Sequence, residues 1–150
     1  MEFRRAKVDD PAVVALLLHH HREMLANSPP GTAYVFDIQR LAAPDIELVG
    51  GWRSDGLVAA GALRHHNGFG EIKSMRIKPE AVGTGAGKVL LQELINRAKY
   101  AGHDQVKLET GSGDIFEPAN GLYRSFGFEP CAPFAGYAPS EFNRFYSLRL

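Results

Sequence analysis

The sequence predicts a mixed α/β fold in a single domain, and three observations carry that prediction. Apolar residues recur at helical spacing in two stretches, 13–25 and 89–101, whereas 46–78 reads as strands broken by turn residues. The second helical stretch leads directly into another strand, the strand–helix–strand order that a parallel crossover requires. A chain of 150 residues is also long enough to bury one core and too short for two. The expected sheet is mixed, with an antiparallel meander first and parallel strands at its centre.

Residues 2–8 form a short first segment of charged and apolar side chains. Asp9, Asp10 and Pro11 then offer an N-cap and a first-turn proline. The helix that follows carries Val13, Val14, Leu17, Leu18, His21, Met24 and Leu25 at apolar positions, and Asn27-Ser28-Pro29-Pro30-Gly31 ends it. Asp37 is placed to cap a short turn from Ile38 to Leu41. Strands are expected over Ile46–Arg53 and Leu57–His65, joined at Ser54-Asp55-Gly56, and Asn67-Gly68 turns the chain into a third, Phe69–Lys78. Val89, Leu90, Leu91, Leu94, Ile95, Ala98 and Ala101 line the second helix, which Gly102 terminates. Asp104–Thr110 is the next strand, parallel to Phe69–Lys78. Glu117-Pro118 opens a shorter helix with Ala119, Leu122, Tyr123 and Phe126, closed by Gly127. A strand over Phe128–Cys131, a loop over Pro133–Pro139 and a strand over Phe142–Leu150 complete the chain.

Composition excludes several functions. Seventeen Lys and Arg balance seventeen Asp and Glu, which argues against phosphate-backbone binding, because nucleic acid requires a positive face that releases counterions. Cys131 is the one cysteine and cannot close an internal disulfide, and no signal-peptide pattern opens the sequence. A reducing, cytoplasmic setting is expected. The longest apolar run, Ala12–Leu18, is far below the ~20 residues of a membrane span. His19-His20-His21 resembles a metal tract, but consecutive helical residues point in different directions, so a helix face is expected and no metal.

The most informative stretch is Lys78-Pro79-Glu80-Ala81-Val82-Gly83-Thr84-Gly85-Ala86-Gly87-Lys88, between a strand and a helix. A tight turn needs one glycine, and three alternating glycines sacrifice backbone entropy that such a turn does not require. Bare amides at a helix N-terminus point at an anion, and the helix dipole adds to the attraction, so a phosphate cradle is the expected use. A Walker loop fails, because glycine is required where Val82 stands and Ser or Thr where Val89 stands. A dinucleotide fingerprint fits poorly, with Lys88 at a glycine position and a three-stranded meander before the loop.

These residues resemble the GNAT superfamily of acyl-CoA-dependent N-acyltransferases. Glu71 to Glu80 resembles the family's central strand, Val82-Gly83-Thr84-Gly85-Ala86-Gly87 its Arg/Gln-x-x-Gly-x-Gly/Ala loop, and Leu122-Tyr123-Arg124-Ser125-Phe126-Gly127-Phe128 its Leu-Tyr-x-x-x-Gly-Phe segment. Glu71 to Arg76, Leu108-Glu109-Thr110-Gly111 and Ser28-Pro29-Pro30-Gly31 resemble a subgroup of small bacterial acetyltransferases whose substrates are mostly unassigned. Two departures stand out: Val82 where Arg or Gln is usual, and Phe116 where many members carry Asn.

The resemblance implies a GNAT fold whose parallel central strands splay apart, with acetyl-CoA as co-substrate in the gap. Its pantetheine would bond the backbone of Met75, Arg76 and Ile77. Its pyrophosphate would sit on the loop of Val82, Gly83, Thr84, Gly85, Ala86 and Gly87, with Lys88 beside it. The reaction implied is direct transfer of acetyl to the amine of a small molecule, an amino acid or related metabolite. Direct transfer leaves no role for Cys131 as a nucleophile. Tyr123 is the candidate acid, since a phenol stays protonated at neutral pH, and a core aromatic is its bland alternative. Glu71 is the candidate base, directly or through water, and the alternative is a strand-end carboxylate paired with Lys73 or His65. His19-His20-His21-Arg22, Tyr34, Phe36, Lys73, Phe134 and Tyr137 are expected to face the acceptor, and a cation facing the cleft at Lys73, Arg76 or Arg22 would suit a carboxylate. Homodimers are common in the family, and Phe145 and Tyr146 are candidates for such a contact. The competing function is a non-catalytic acyl-CoA-binding or sensing domain, which the loss of Arg at Val82 suits. Retention of Tyr123 and of all the loop glycines favours the enzyme.

Overall fold

The structure is a computed structural model that describes residues 1–34 and 37–150. Seven strands form one mixed sheet in the order β1-β2-β3-β4-β5-β7-β6. They are β1 (Glu2–Arg5), β2 (Ile46–Arg53), β3 (Gly56–His65), β4 (Phe69–Ile77), β5 (Gln105–Thr110), β6 (Glu129–Pro130) and β7 (Arg144–Arg149). The helices are α1 (Pro11–Ala26), α2 (Ala86–Tyr100) and α3 (Glu117–Ser125). As expected, β2, β3 and β4 form an antiparallel meander and β4 pairs with β5 in parallel. Among the described residues no helix is long and apolar enough to cross a membrane.

Two cores flank the sheet. Leu90, Leu91, Leu94, Ile95 and Ala98 of α2 pack on Leu63, Ile72, Val106 and Leu108. Val13, Leu16 and Leu17 of α1 pack on Leu48, Ala60 and Ala62 from the other side. The buried stripe of α1 is rotated from the sequence expectation: Leu16 and His20 are inside, whereas Leu18 and Leu25 are exposed. Asp10 is its N-cap and accepts from Ala12 N at 2.9 Å. Asp37 accepts from Arg40 N at 2.8 Å and starts the short 3-10 turn Arg40–Ala42.

Two features of β4 shape the centre of the molecule. Its pairing with β5 runs from Phe69↔Gln105 to Ile72↔Leu108 and stops there, although β4 continues to Ile77 and β5 to Thr110. The strands therefore part at their C-terminal ends, where a parallel α/β sheet opens a crevice. Against β3, the register slips between Ala62↔Lys73 and Ala60↔Arg76, and Ser74 takes a left-handed φ of 53°. This is a β-bulge, in which one extra residue re-aims the side chains beyond it. Strict alternation would place Met75 on the face of Glu71 and Lys73. The bulge corrects that expectation, turning Met75 toward the α2 core and Arg76 onto the Lys73 face.

Phe145 and Tyr146, considered above for a dimer contact, are used inside the protomer. They are 7% and 6% exposed, with Phe145 against Phe134 and Tyr137, and Tyr146 against Tyr123.

Candidate active site

The gap between β4 and β5 opens into a cleft walled by α1 and α3. Lys73, Arg76, Glu109, Thr110, Tyr123 and His20 are among its lining residues. The backbone of β4 is partly unspent here. Lys78 N donates to Val58 O at 2.8 Å, and backbone groups alternate along a strand, so the N–H of Ile77 faces the gap.

Beyond β4 the chain makes a 3-10 turn, Pro79–Ala81, and then the glycine loop. Gly83 and Gly85 have φ of 82° and 85°, a region that glycine enters without strain, and an added Cβ on either would meet no atom within 4 Å. Gly85 is the N-cap of α2, whose first helical bond runs from Val89 N to Gly85 O at 3.2 Å. Among the described residues, the amides of Gly83, Gly85, Ala86, Gly87 and Lys88 have no backbone acceptor, as the first turn of a helix dictates. Thr84 is tied down, donating to Ala81 O at 2.6 Å and accepting from Arg53 at 3.1 Å. The exposed amides and the positive end of α2 together make an anion cradle. Val82 is 68% exposed and adds no polar group to it.

Tyr123 is buried on α3, with rings of Phe128 and Tyr146 beside it. Burial, reinforced by the negative field of Glu109, pushes its phenol up to about 12. Glu109, on β5, lines the same cleft; burial raises its carboxyl, and Asn143 Nδ2 donates to its Oε2 at 2.8 Å. Arg76 donates from Nε to His20 Nδ1 at 3.0 Å. Burial, with help from the Arg76 charge, lowers His20 to about 3, so its ring is neutral.

Glu71 sits differently. It is 0% exposed, does not line the cleft, and binds His66 Nε2 at 2.8 Å and the Tyr137 hydroxyl. Lys73 lies 3.6 Å from Glu71 and donates to Tyr137 Oη at 2.7 Å and to Tyr34 O at 3.0 Å. Burial lowers the Lys73 ammonium against the opposing pull of Glu71. The Tyr137 hydroxyl is pushed up by burial and by the Glu71 charge. This buried network fastens the loops of Tyr34 and Tyr137 to the sheet, and the two rings meet edge-on at 4.8 Å.

Comparison with known proteins decides the family. Residues 45–130 match the model of the acetyltransferase (GNAT) domain. The uncharacterized N-acetyltransferase YsnE of Bacillus subtilis is 38% identical over 148 residues, which is 96% of this chain and 98% of that protein. The uncharacterized N-acetyltransferase YedL of Escherichia coli is 35% identical over 96% of this chain and 93% of its own. This chain belongs to the GNAT acetyltransferases. Its fold matches that of a Bacillus subtilis acetyltransferase solved in complex with CoA, with a TM-score of 0.73 at 20% identity over 99% of this chain and 98% of that one.

Acetyl-CoA is the co-substrate of a GNAT acetyltransferase, and two observations here fit it: strands already parted, and a loop with open space beside Gly83 and Gly85. The site residues expected from sequence divide into three groups. Met75, Arg76, Lys73, Tyr34 and Tyr123 line the cleft, and Ile77 and the glycine loop follow along the end of β4. Glu71 and Tyr137 lie one layer behind, joined through Lys73, and Phe134 packs on Tyr137 at 5.4 Å. Arg22 is exposed and is not in the cleft lining, because α1 turns His20 and Glu23 inward instead. Phe36 lies outside the described residues. His20, one of the three histidines expected to face the acceptor, lines the cleft, whereas Glu109 and Asn143 were missed by the sequence reading. Glu109 follows Lys107 by two positions in a strand parallel to β4, and that spacing already places it beside Lys73 on the acceptor face.

Proposed function

We propose that this GNAT acetyltransferase moves acetyl directly to the amine of a small molecule, an amino acid or related metabolite. The observation that supports this most is the meeting of a buried phenol on α3 and a partly buried carboxylate on β5 at one cleft, beside parted strands. Acetyl-CoA supplies a thioester already activated for transfer, so the chain's own task is to hold the amine close, take one proton and supply another. Glu109 takes the proton from the amine. Its partial burial raises its pKa, which makes the carboxylate a stronger base. Among the described residues, Asn143 engages Oε2 of that carboxylate. Glu71 supports another role: sealed from the cleft, it neutralises Lys73 and anchors Tyr137. Tyr123 holds its proton at neutral pH and is positioned on the cleft wall to donate it to the leaving sulfur. The Ile77 amide offers a fixed dipole to the oxygen that gains charge. Amides of Gly83, Gly85, Ala86 and Gly87 hold the pyrophosphate, with Lys88 exposed nearby. The lone Cys131, away from these groups, fits a cytoplasmic setting.

Exposed Val82, where family members usually carry Arg or Gln, favours a second reading as an acyl-CoA sensor. Incubation with acetyl-CoA and a pool of primary amines separates the two. Catalysis gives free thiol and N-acetylated product in equal amounts, dependent on the amine. Tight acetyl-CoA binding without product would assign the protein to sensing.

A further inference from the structure

Arg76 is a cleft cation that no neighbouring carboxylate pairs among the described residues. Two other partly buried guanidinium groups are paired: Arg64 with Asp45 at 3.0 Å, and Arg97 with Glu47 at 2.5 Å and Glu93 at 2.7 Å. Among the described residues the Arg76 side chain hydrogen-bonds a neutral imidazole, His20 Nδ1 at 3.0 Å. Glu23, across the cleft on α1, attracts it only at longer range. Arginine does not shed its proton to escape burial, so a desolvated guanidinium without a counter-ion is an unfavourable arrangement that an incoming anion relieves.

The fold places this group through the bulge. Without the extra residue at Ser74, position 76 would point toward the α2 core, whereas the bulge turns Arg76 onto the α1 face beside Lys73. His20 fixes Nε and, among the described residues, leaves the two Nη atoms for a second partner; arginine can grip a carboxylate with two parallel bonds. The other two cations considered for this role are otherwise engaged. Lys73 is paired with Glu71 and bonded to Tyr34 and Tyr137, and Arg22 is exposed away from the cleft.

We propose that Arg76, oriented by His20, binds the carboxylate of the acceptor, so that the acceptor is a small amino acid held with its amine toward Glu109. His20 is a positioning residue in this scheme. The inference rests on the acetyl-transfer reading above, and its test is built so that the two fail separately. A phosphate of the coenzyme is the other anion that Arg76 could meet, and the same test tells the sources apart.

Amino acids are assayed beside their decarboxylated amines and their carboxamides, with wild-type, Arg76→Met, Arg76→Lys and His20→Ala proteins. The expected result is a kcat/KM for the best amino acid at least ~100-fold above that of its decarboxylated amine, since a site built for a polar group rejects the analogue that lacks it. Arg76→Met is expected to abolish that preference by raising acceptor KM, with Arg76→Lys recovering part of it and acetyl-CoA KM within about threefold of wild type. His20→Ala raises acceptor KM with little change in kcat. Equal use of amino acids and decarboxylated amines overturns the proposal, and so does an Arg76→Met defect confined to acetyl-CoA KM, which would assign Arg76 to the coenzyme. If no amine is acetylated, thermal shifts by amino acids on the CoA-saturated protein decide. A shift in wild type that Arg76→Met loses upholds the carboxylate site while the transfer reading fails, and no shift overturns the proposal as well.

Discussion

Burial shifts Glu109 and Tyr123 in the same direction, and they differ in protonation because an ordinary carboxyl titrates far below an ordinary phenol. Burial disfavours charge on both, which moves the carboxyl up and the phenol up to about 12. The base is active only when deprotonated, so kcat/KM should fall as pH drops through the raised Glu109 value. Glu109→Gln is expected to remove that acidic limb and lower kcat about 10²–10⁴-fold, the usual range for a general base. A pH–rate series on both proteins checks it, and an unchanged limb in Glu109→Gln would return the role to another group. Much of this level is readable from the sequence. Tyr123 is marked by its place before Phe126-Gly127-Phe128, and Lys73 by its position on β4. Glu109 is within reach, since alternation from Lys107 puts it on the acceptor face. Arg76 is harder: the bulge that turns it lies at Ser74, which adopts φ 53° without the glycine that would signal it.

Among the elements, the glycine loop and α2 are legible because their chemistry is local. The two glycines of the loop's final repeat should nonetheless behave differently. Gly85 has φ 85°, so Gly85→Ala forces a left-handed alanine and should destabilise the fold by about 1–2 kcal/mol. For a chain of this size that is roughly 2–4 °C of Tm per kcal/mol, and a rise in acetyl-CoA KM should accompany it. Gly87 is helical, and an added Cβ would sit 3.6 Å from Leu122 and 3.7 Å from Ile77, an ordinary contact. Gly87→Ala should therefore keep or slightly raise Tm, since alanine is the better helix former by about 1 kcal/mol. Calorimetry on both variants checks the contrast, and equal losses would contradict it. The phase of α1 is not legible. Its run of apolar residues around Leu16, Leu17 and Leu18 permits several faces, and the choice is made by the sheet and by Arg76, which draws His20 inward. The burial of Phe145 and Tyr146 is hidden for a similar reason. Their partners, Phe134, Tyr137 and Tyr123, come from a loop and from α3 rather than from neighbouring positions in β7.

For the whole molecule, the order of elements is legible, and so is the parallel pairing of β4 with β5, because a crossover helix leaves few alternatives. The point at which those strands part is not, since it depends on which register is lost after Ile72 and Leu108. A global property follows from His20. Its folded value lies near 3 against 6.5 for an ordinary imidazole. Between those values the unfolded chain binds a proton that the folded chain refuses, so stability rises with pH and is lost as pH falls from 6.5 toward 3. The loss should approach about 1.4 kcal/mol per pH unit for this one group. His103, lowered by burial and by His65, adds a contribution of the same sign. Urea titrations at several pH values should show this slope, and a His20→Asn variant should flatten it. A slope unchanged in that variant would place the acid sensitivity elsewhere.

Transfer of acetyl to an amine in this cleft, with a proton delivered by Tyr123, is the step on which the functional reading stands. The rate of amine-dependent thiol release at saturating acetyl-CoA, measured for the wild-type protein and for Tyr123→Phe, probes that step. Turnover is expected from the wild type, with a loss in kcat of about 10²-fold or more in the variant and acetyl-CoA KM unchanged. Full turnover by Tyr123→Phe, with coenzyme binding intact, would contradict it.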